Sequence, residues 1–189
     1  VGTVVTPATP INGGAVPTLD TATGNVSVPA GTPAGSYTIT YQICETLNPS
    51  NCDTAVITVA VVPPAIDAVD DTPAPINGAT GGTTGSVLVN DTLNGAPVVP
   101  ADVTLTPGTA PTTTSGGIVM NPDGTITVAP GTPAGTYSYP YTICENLNPS
   151  NCDTATATVV VDAAPIVAND DTVTGVNGTT GAANVVNAY

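Results

Sequence analysis

The sequence has no Lys, no Arg and no His, and against that absence stand fourteen Asp and Glu, for a formal charge of −14. With no cationic side chain, no internal ion pair between side chains can form. Ordinary nucleic-acid binding, which needs Lys or Arg to displace counterions from phosphate, is excluded. Attraction to anionic membrane surfaces goes the same way. Most acid–base and nucleophilic schemes lose their usual participants, so the sequence offers no enzyme. There is also no Phe, no Trp and a single Met, so core bulk must come from Val, Ile, Leu and six Tyr. No run approaches the roughly 18–20 apolar residues of a membrane helix, which excludes membrane insertion by that route. No signal peptide and no initiator Met are visible, and Val1 has the look of a processed or excised start. Few aromatics and charge of one sign are marks of disordered chains. Here, however, only 7% of residues are charged, and the strand patterns below are regular.

What is present is β-branched. Val and Thr abound and suit strands, and twenty Gly with twenty Pro argue against long helices. The organising feature is a repeat. "ICETLNPSNCDTA" at Ile43–Ala55 returns as "ICENLNPSNCDTA" at Ile143–Ala155, an offset of 100 residues. The match extends over 31–61 and 131–161, then to "DDT" at Asp70 and Asp170 and "NG" at Asn77 and Asn177. That period is too long for a solenoid coil and is the size of one small domain.

Within a repeat, Tyr37, Ile39, Tyr41 and Ile43 alternate with polar residues, as do Tyr137, Tyr139, Tyr141 and Ile143. This is the period of a half-buried strand. Pro140 in the copy suggests an edge or a bulge. After the second Cys, Ala55, Ile57, Val59 and Val61 predict a second strand, and the pair forms a hairpin around the Asn-Pro-Ser loop. "VTLTP", "GSVLVN", "GNVSV" and the turn-strand "MNPDGTITV" predict further short strands. No helical period survives. The fold class expected is all-β, with tandem immunoglobulin-like β-sandwich repeats of about 100 residues.

The repeats are out of phase with the chain. Residues 1–63 are expected to be an incomplete repeat lacking its first strands, 64–163 a complete β-sandwich repeat, and 164–189 the leading strands of a further repeat. A sandwich without its leading strands exposes an apolar groove and unpaired edges. The expectation is that 164–189 completes residues 1–63 of a neighbouring, identical subunit. The plainer alternative is a piece of a long covalent array.

Four Cys in two identical frames, Cys44/Cys52 and Cys144/Cys152, favour two disulfides and an oxidising, extracellular compartment. Zinc fits the seven-residue spacing poorly. The phrase "GTPAGTYSYPYTICENLNPSNCDTATATVVV" resembles repeats of bacterial tandem-repeat surface adhesins of the fibril-repeat, immunoglobulin-like kind. The resemblance covers most of each repeat. It implies a secreted or cell-anchored bacterial protein whose repeats build a stalk or fibre. Its partners would be copies of itself; the alternative is an adhesin segment acting as a carbohydrate- or ice-binding module.

Asp67, Asp70 and Asp71 at one repeat junction, Asp170 and Asp171 at the next, and Asp91 are candidate ligands for calcium, which takes six to eight oxygens. The competing reading is a solvated acidic linker. Glu45, Glu145, Asp53 and Asp153 suit turn roles better than a glycosidase pair. Asp-Thr-apolar triplets resemble an O-glycosylation signal of some Gram-negative bacteria. They make Thr54 and Thr154 candidate acceptors, with local turn hydrogen bonding as the alternative. The Asn25, Asn90 and Asn177 sequons are weaker candidates.

Overall fold

The computed structural model describes residues 2–182. It is all-β, with two β-sandwich-like units in tandem. The first contains β1 (Gly2–Thr6), β2 (Thr18–Leu19), β3 (Val26–Ser27), β4 (Gly35–Cys44) and β5 (Cys52–Val61). The second contains β6 (Ile66–Asp67), β7 (Ile76–Asn77), β8 (Gly82–Thr83), β9 (Thr92–Leu93), β10 (Ala96–Pro97), β11 (Val103–Pro107), β12 (Ile118–Met120), β13 (Ile126–Val128), β14 (Gly135–Glu145) and β15 (Cys152–Asp162). Residues 163–182 hold no strand and are exposed throughout.

The repeated phrase builds the same hairpin twice. β4 pairs with β5 from Gly35↔Val61 to Cys44↔Cys52, and β14 with β15 from Gly135↔Val161 to Cys144↔Cys152. In each, the two Cys face one another across the last rung, and both are disulfide-bonded with Cα atoms 4.1 Å apart. Tyr37 and Tyr137 each donate a hydroxyl hydrogen bond to the Pro carbonyl four residues earlier, at 2.8 and 2.9 Å. That contact fixes the corner where each long strand begins.

The second unit has a full core. Tyr139, Tyr141 and Ile143 of β14 face Ala155, Ala157, Val159 and Val161 of β15, and Ile118, Met120, Ile126 and Val128 pack opposite. Ile76, Val87 and Leu88, from the leading segment, close that core. The first unit's core cluster holds only Ala8, Tyr37 and Ile39 as buried residues, with six apolar residues partly buried around them.

Two local expectations change. "GSVLVN" is a 3-10 turn at Val87–Val89, not a strand, because Ser86 caps it by accepting the Leu88 N–H and plugs Val87 and Leu88 into the core. Pro140 is not on an edge strand, since β14 lies between β11 and β15. Its missing N–H is tolerated because the β11 ladder stops at Pro107↔Tyr141, and the Pro140 carbonyl accepts one last bond from Gly108.

Candidate assembly site

The leading segment of the second unit does two things for its sheet. Residues 71–78 run parallel along the free edge of β15: Asp71 donates to the Thr156 carbonyl and accepts from the Thr158 N–H, at 3.1 and 2.8 Å. Val161 then pairs with Ile76 and Asp162 with Asn77. A turn follows, and β8 pairs with β13 through Val128↔Gly82 and Thr127↔Thr83. One strap thus satisfies the edge of one sheet and continues the other.

The first unit has no such strap among the described residues. β5 has β4 on one side and nothing on the other, and the β2–β3 pair stands alone. Equivalent side chains record the difference. Ile143 is 0% exposed and Ile43 is 57%; Ile126 is 0% and Val26 is 37%; Val128 is 1% and Val28 is 49%. Gly2, Leu19, Val26, Tyr41, Ile43 and Ile57 line the resulting apolar groove. Open edge and open core lie on the same unit.

Residues 163–182 match the strap. At the same offset, Ile166, Ala168, Asp170, Asp171, Asn177, Gly178, Thr180 and Gly181 repeat residues 66–81, with Val176 in place of Ile76. They also repeat its turn. Gly81 N–H bonds the Asn77 carbonyl at 2.9 Å and Gly181 N–H the Asn177 carbonyl at 2.8 Å. Asn77 Oδ1 accepts from Ala79 N–H and Asn177 Oδ1 from Thr179 N–H. Both glycines adopt a left-handed φ, +68° and +62°, which a side chain would disfavour. The exposed segment therefore already holds the turn that the docked strap uses, which lowers the ordering cost of docking. Residues 183–189, the rest of the expected completing segment, lie outside the described residues.

The acidic residues take a different arrangement from a metal cage. Asp91 is 0% exposed and accepts the Val69 N–H at 2.8 Å. The Tyr141 hydroxyl sits among Asp91, Asp71 Oδ2 at 3.0 Å and the Val69 and Val87 carbonyls. Asp70 accepts the Thr156 N–H, and Asp153 the Ala68 N–H. Burial, then repulsion from Asp91 and Asp70, pushes Asp71 up to about 6, although the Tyr141 bond pulls the other way. Burial also raises Asp91, and burial with two adjacent carboxylates raises Tyr141.

Among the described residues, no group of three or more His, Cys, Asp or Glu could hold a metal ion. Asp70, Asp71 and Asp91 point their oxygens at donors of this chain. Asp170 and Asp171 lie on the exposed segment. The residues do not fit calcium as arranged. What the carboxylates form is a hydrogen-bonded clasp tying the strap to β14 and β15. Sequence reasoning missed its centre, Tyr141, although a Tyr on the inward face of a strand must find a partner for its hydroxyl.

Thr54 and Thr154 are both exposed, and the Asp53 carboxylate accepts the Thr54 N–H at 2.8 Å. The Thr face of β15 is no open array, because Thr156 and Thr158 are half-buried with residues 70–71 alongside.

No family model matches this chain, and no curated protein does. Solved structures give distant likenesses. A SusE-like surface-located polysaccharide-binding protein from the Bacteroides thetaiotaomicron heparin utilisation locus shares 19% identity at a TM-score of 0.38, over 78% of this chain and 22% of that one. The human desmocollin-1 ectodomain shares 14% at 0.37, over 67% and 26%. Mouse cadherin-23 repeats 22–24 share 13% at 0.34, over 87% and 52%. The chain spans between about a fifth and about half of those proteins, and the likenesses are too distant to bear on function.

Proposed function

We propose that this chain is a structural subunit of a bacterial extracellular fibre, assembled head-to-tail by strand complementation. The observation that carries the proposal is the mismatch between two copies of one sandwich: the second has its core closed by residues 66–91, and the first leaves the same positions open. Residues 164–182 of one subunit dock in the groove of the next. Transfer of the internal register puts Val176 beside Val61, as Ile76 lies beside Val161, and Asp171 beside Ile57, as Asp71 lies beside Ala157. Tyr41 then meets Asp171 as Tyr141 meets Asp71. The two disulfides suit an extracellular compartment.

Thr54 and Thr154, exposed and in matching triplets, are proposed glycan acceptors on the fibre surface. Mass shifts on their peptides test that assignment.

The assembly proposal is tested by negative-stain microscopy together with denatured intact mass. Beaded filaments that dissolve into 189-residue chains in denaturant are expected. A denatured species of many covalent repeats refutes strand exchange in favour of a tandem array. A compact monomer at high concentration refutes assembly altogether.

A further inference from the structure

The second unit touches the first through a loop that the first unit also owns. The turn between β14 and β15 is built by Glu145, Asn148 and Asn151. Glu145 Oε2 accepts from Asn148 Nδ2 and Asn151 Nδ2, both at 2.9 Å, and Glu145 N–H donates to the Asn151 carbonyl. Asn148 and Glu145 are buried, at 7% and 5% exposure. Asn146 ties the loop to residues 101–104 of its own unit, and two further bonds lead toward the first unit. Asn148 Oδ1 accepts the N–H of Ala34 in the first unit at 2.6 Å, and Asn151 Nδ2 donates to the carbonyl of Pro64 in the connection between units at 2.9 Å.

The first unit carries the same loop with the same internal partners. Glu45 accepts from Asn48 Nδ2 and Asn51 Nδ2 at 2.7 and 3.1 Å, and Glu45 N–H donates to the Asn51 carbonyl. There the loop is exposed from Glu45 to Asn51, and its outgoing bonds have no counterparts among the described residues. The other half of the contact is also duplicated. "GTPAG" at 31–35, which holds Ala34, recurs without change at 131–135, and Ala134 is exposed. The position equivalent to Pro64 is Ala164, at the root of the segment proposed to dock. Each chain therefore displays both halves of a joint whose closed form it already contains.

We infer that the 45–51 loop of one subunit docks on residues 131–135 of a second copy, with Asn48 Oδ1 accepting the Ala134 N–H and Asn51 Nδ2 donating to the Ala164 carbonyl. This rests on the strand-complementation reading and adds to it the contact that sets the angle between beads. Its consequence is that joints between subunits and joints within them are alike, and the fibre has one bead spacing rather than an alternation of two.

The test pairs two double-cysteine chains under mild oxidation. Ala34→Cys with Asn148→Cys spans the joint inside one chain and gives an internal bridge with no ladder on a non-reducing gel. Asn48→Cys with Ala134→Cys spans the proposed joint, and polymerised protein gives a ladder of covalent multimers. An internal bridge in the first chain with no ladder from sedimentable polymer of the second overturns the joint and leaves strand complementation standing. Failure of the wild-type chain to polymerise overturns both. Averaged images of wild-type fibres give a readout free of engineered cysteines: one bead spacing is expected, and alternating spacings overturn the joint.

Discussion

Ile43 and Ile143 occupy the same position of the same hairpin, yet one is 57% exposed and the other 0%. Truncating each to Ala asks whether the open groove is real and whether it closes on assembly. Ile143→Ala removes a fully buried side chain and leaves a cavity, so the second unit should lose about 2–5 kcal/mol. Ile43→Ala in dilute, monomeric protein removes a side chain that is already more than half in water, and the first unit should lose roughly 1 kcal/mol or less. Assembly changes the second number only. If the docked segment covers Ile43 as residues 66–91 cover Ile143, the remaining penalty, about 1–4 kcal/mol, moves into association and weakens it about 5- to 900-fold. Denaturant unfolding at low concentration, resolving a transition for each unit, gives the first comparison; sedimentation against concentration gives the second. Equal losses in dilute protein would mean that the groove is already filled, for instance by the chain's own segment folded back. An Ile43→Ala chain that assembles as well as wild type would mean that the groove is not where subunits meet.

Acidification should stabilise the second unit. Asp71 titrates at about 6 in the folded chain against an ordinary 3.8, so its stabilising contribution is complete below the lower value and is lost as pH rises through the upper one. Asp91 is shifted the same way. The thermal midpoint of this unit should therefore rise from pH 7 to pH 5, and Asp71→Asn should flatten the dependence; a midpoint that falls over that range contradicts the clasp. Chelator should leave the same midpoint unchanged, because Asp70, Asp71 and Asp91 are bonded to donors of the protein. A drop of several degrees would restore a cation to the site.

The hairpin was legible because it rests on alternation in the strands on either side of a Cys-bounded turn, signals that depend on nearby residues only. The strap was harder. "GSVLVN" carries β-branched residues at strand spacing, but Ser86 caps a tight turn and the two apolar residues act as plugs. The Asp residues were legible as a cluster and misleading as a cage. Composition cannot say that Asp91 faces Val69 N–H and Tyr141, whose partners lie 22 and 50 residues away in the chain. Spacing likewise hides the bond between Asn148 and Ala34, separated by 114 residues. The repeat was the most readable feature, since its offset of 100 residues is counted directly along the chain.

A chain with no cation must satisfy its carboxylates from neutral donors, and this one does so repeatedly. Asp20 takes Ala22 N–H and the Thr23 hydroxyl; Asp123 takes Thr125 through both N–H and hydroxyl; Glu45 and Glu145 take Asn side chains. The proposed joints follow the same rule, with amide, hydroxyl and apolar contacts and no ion pair. Two subunits of charge −14 nevertheless repel. At about 0.01 M salt that repulsion reaches roughly 30 Å, and at about 0.1 M only roughly 10 Å. Salt therefore screens an opposing force and weakens none of the contacts that hold subunits together. Assembly should become tighter and faster between those two concentrations, the reverse of an interface held by complementary charges. Fibres that dissociate on raising salt over this range would show that an attraction between opposite charges holds them. The chain has no side chain able to supply one, so a bridging cation would have to take its place.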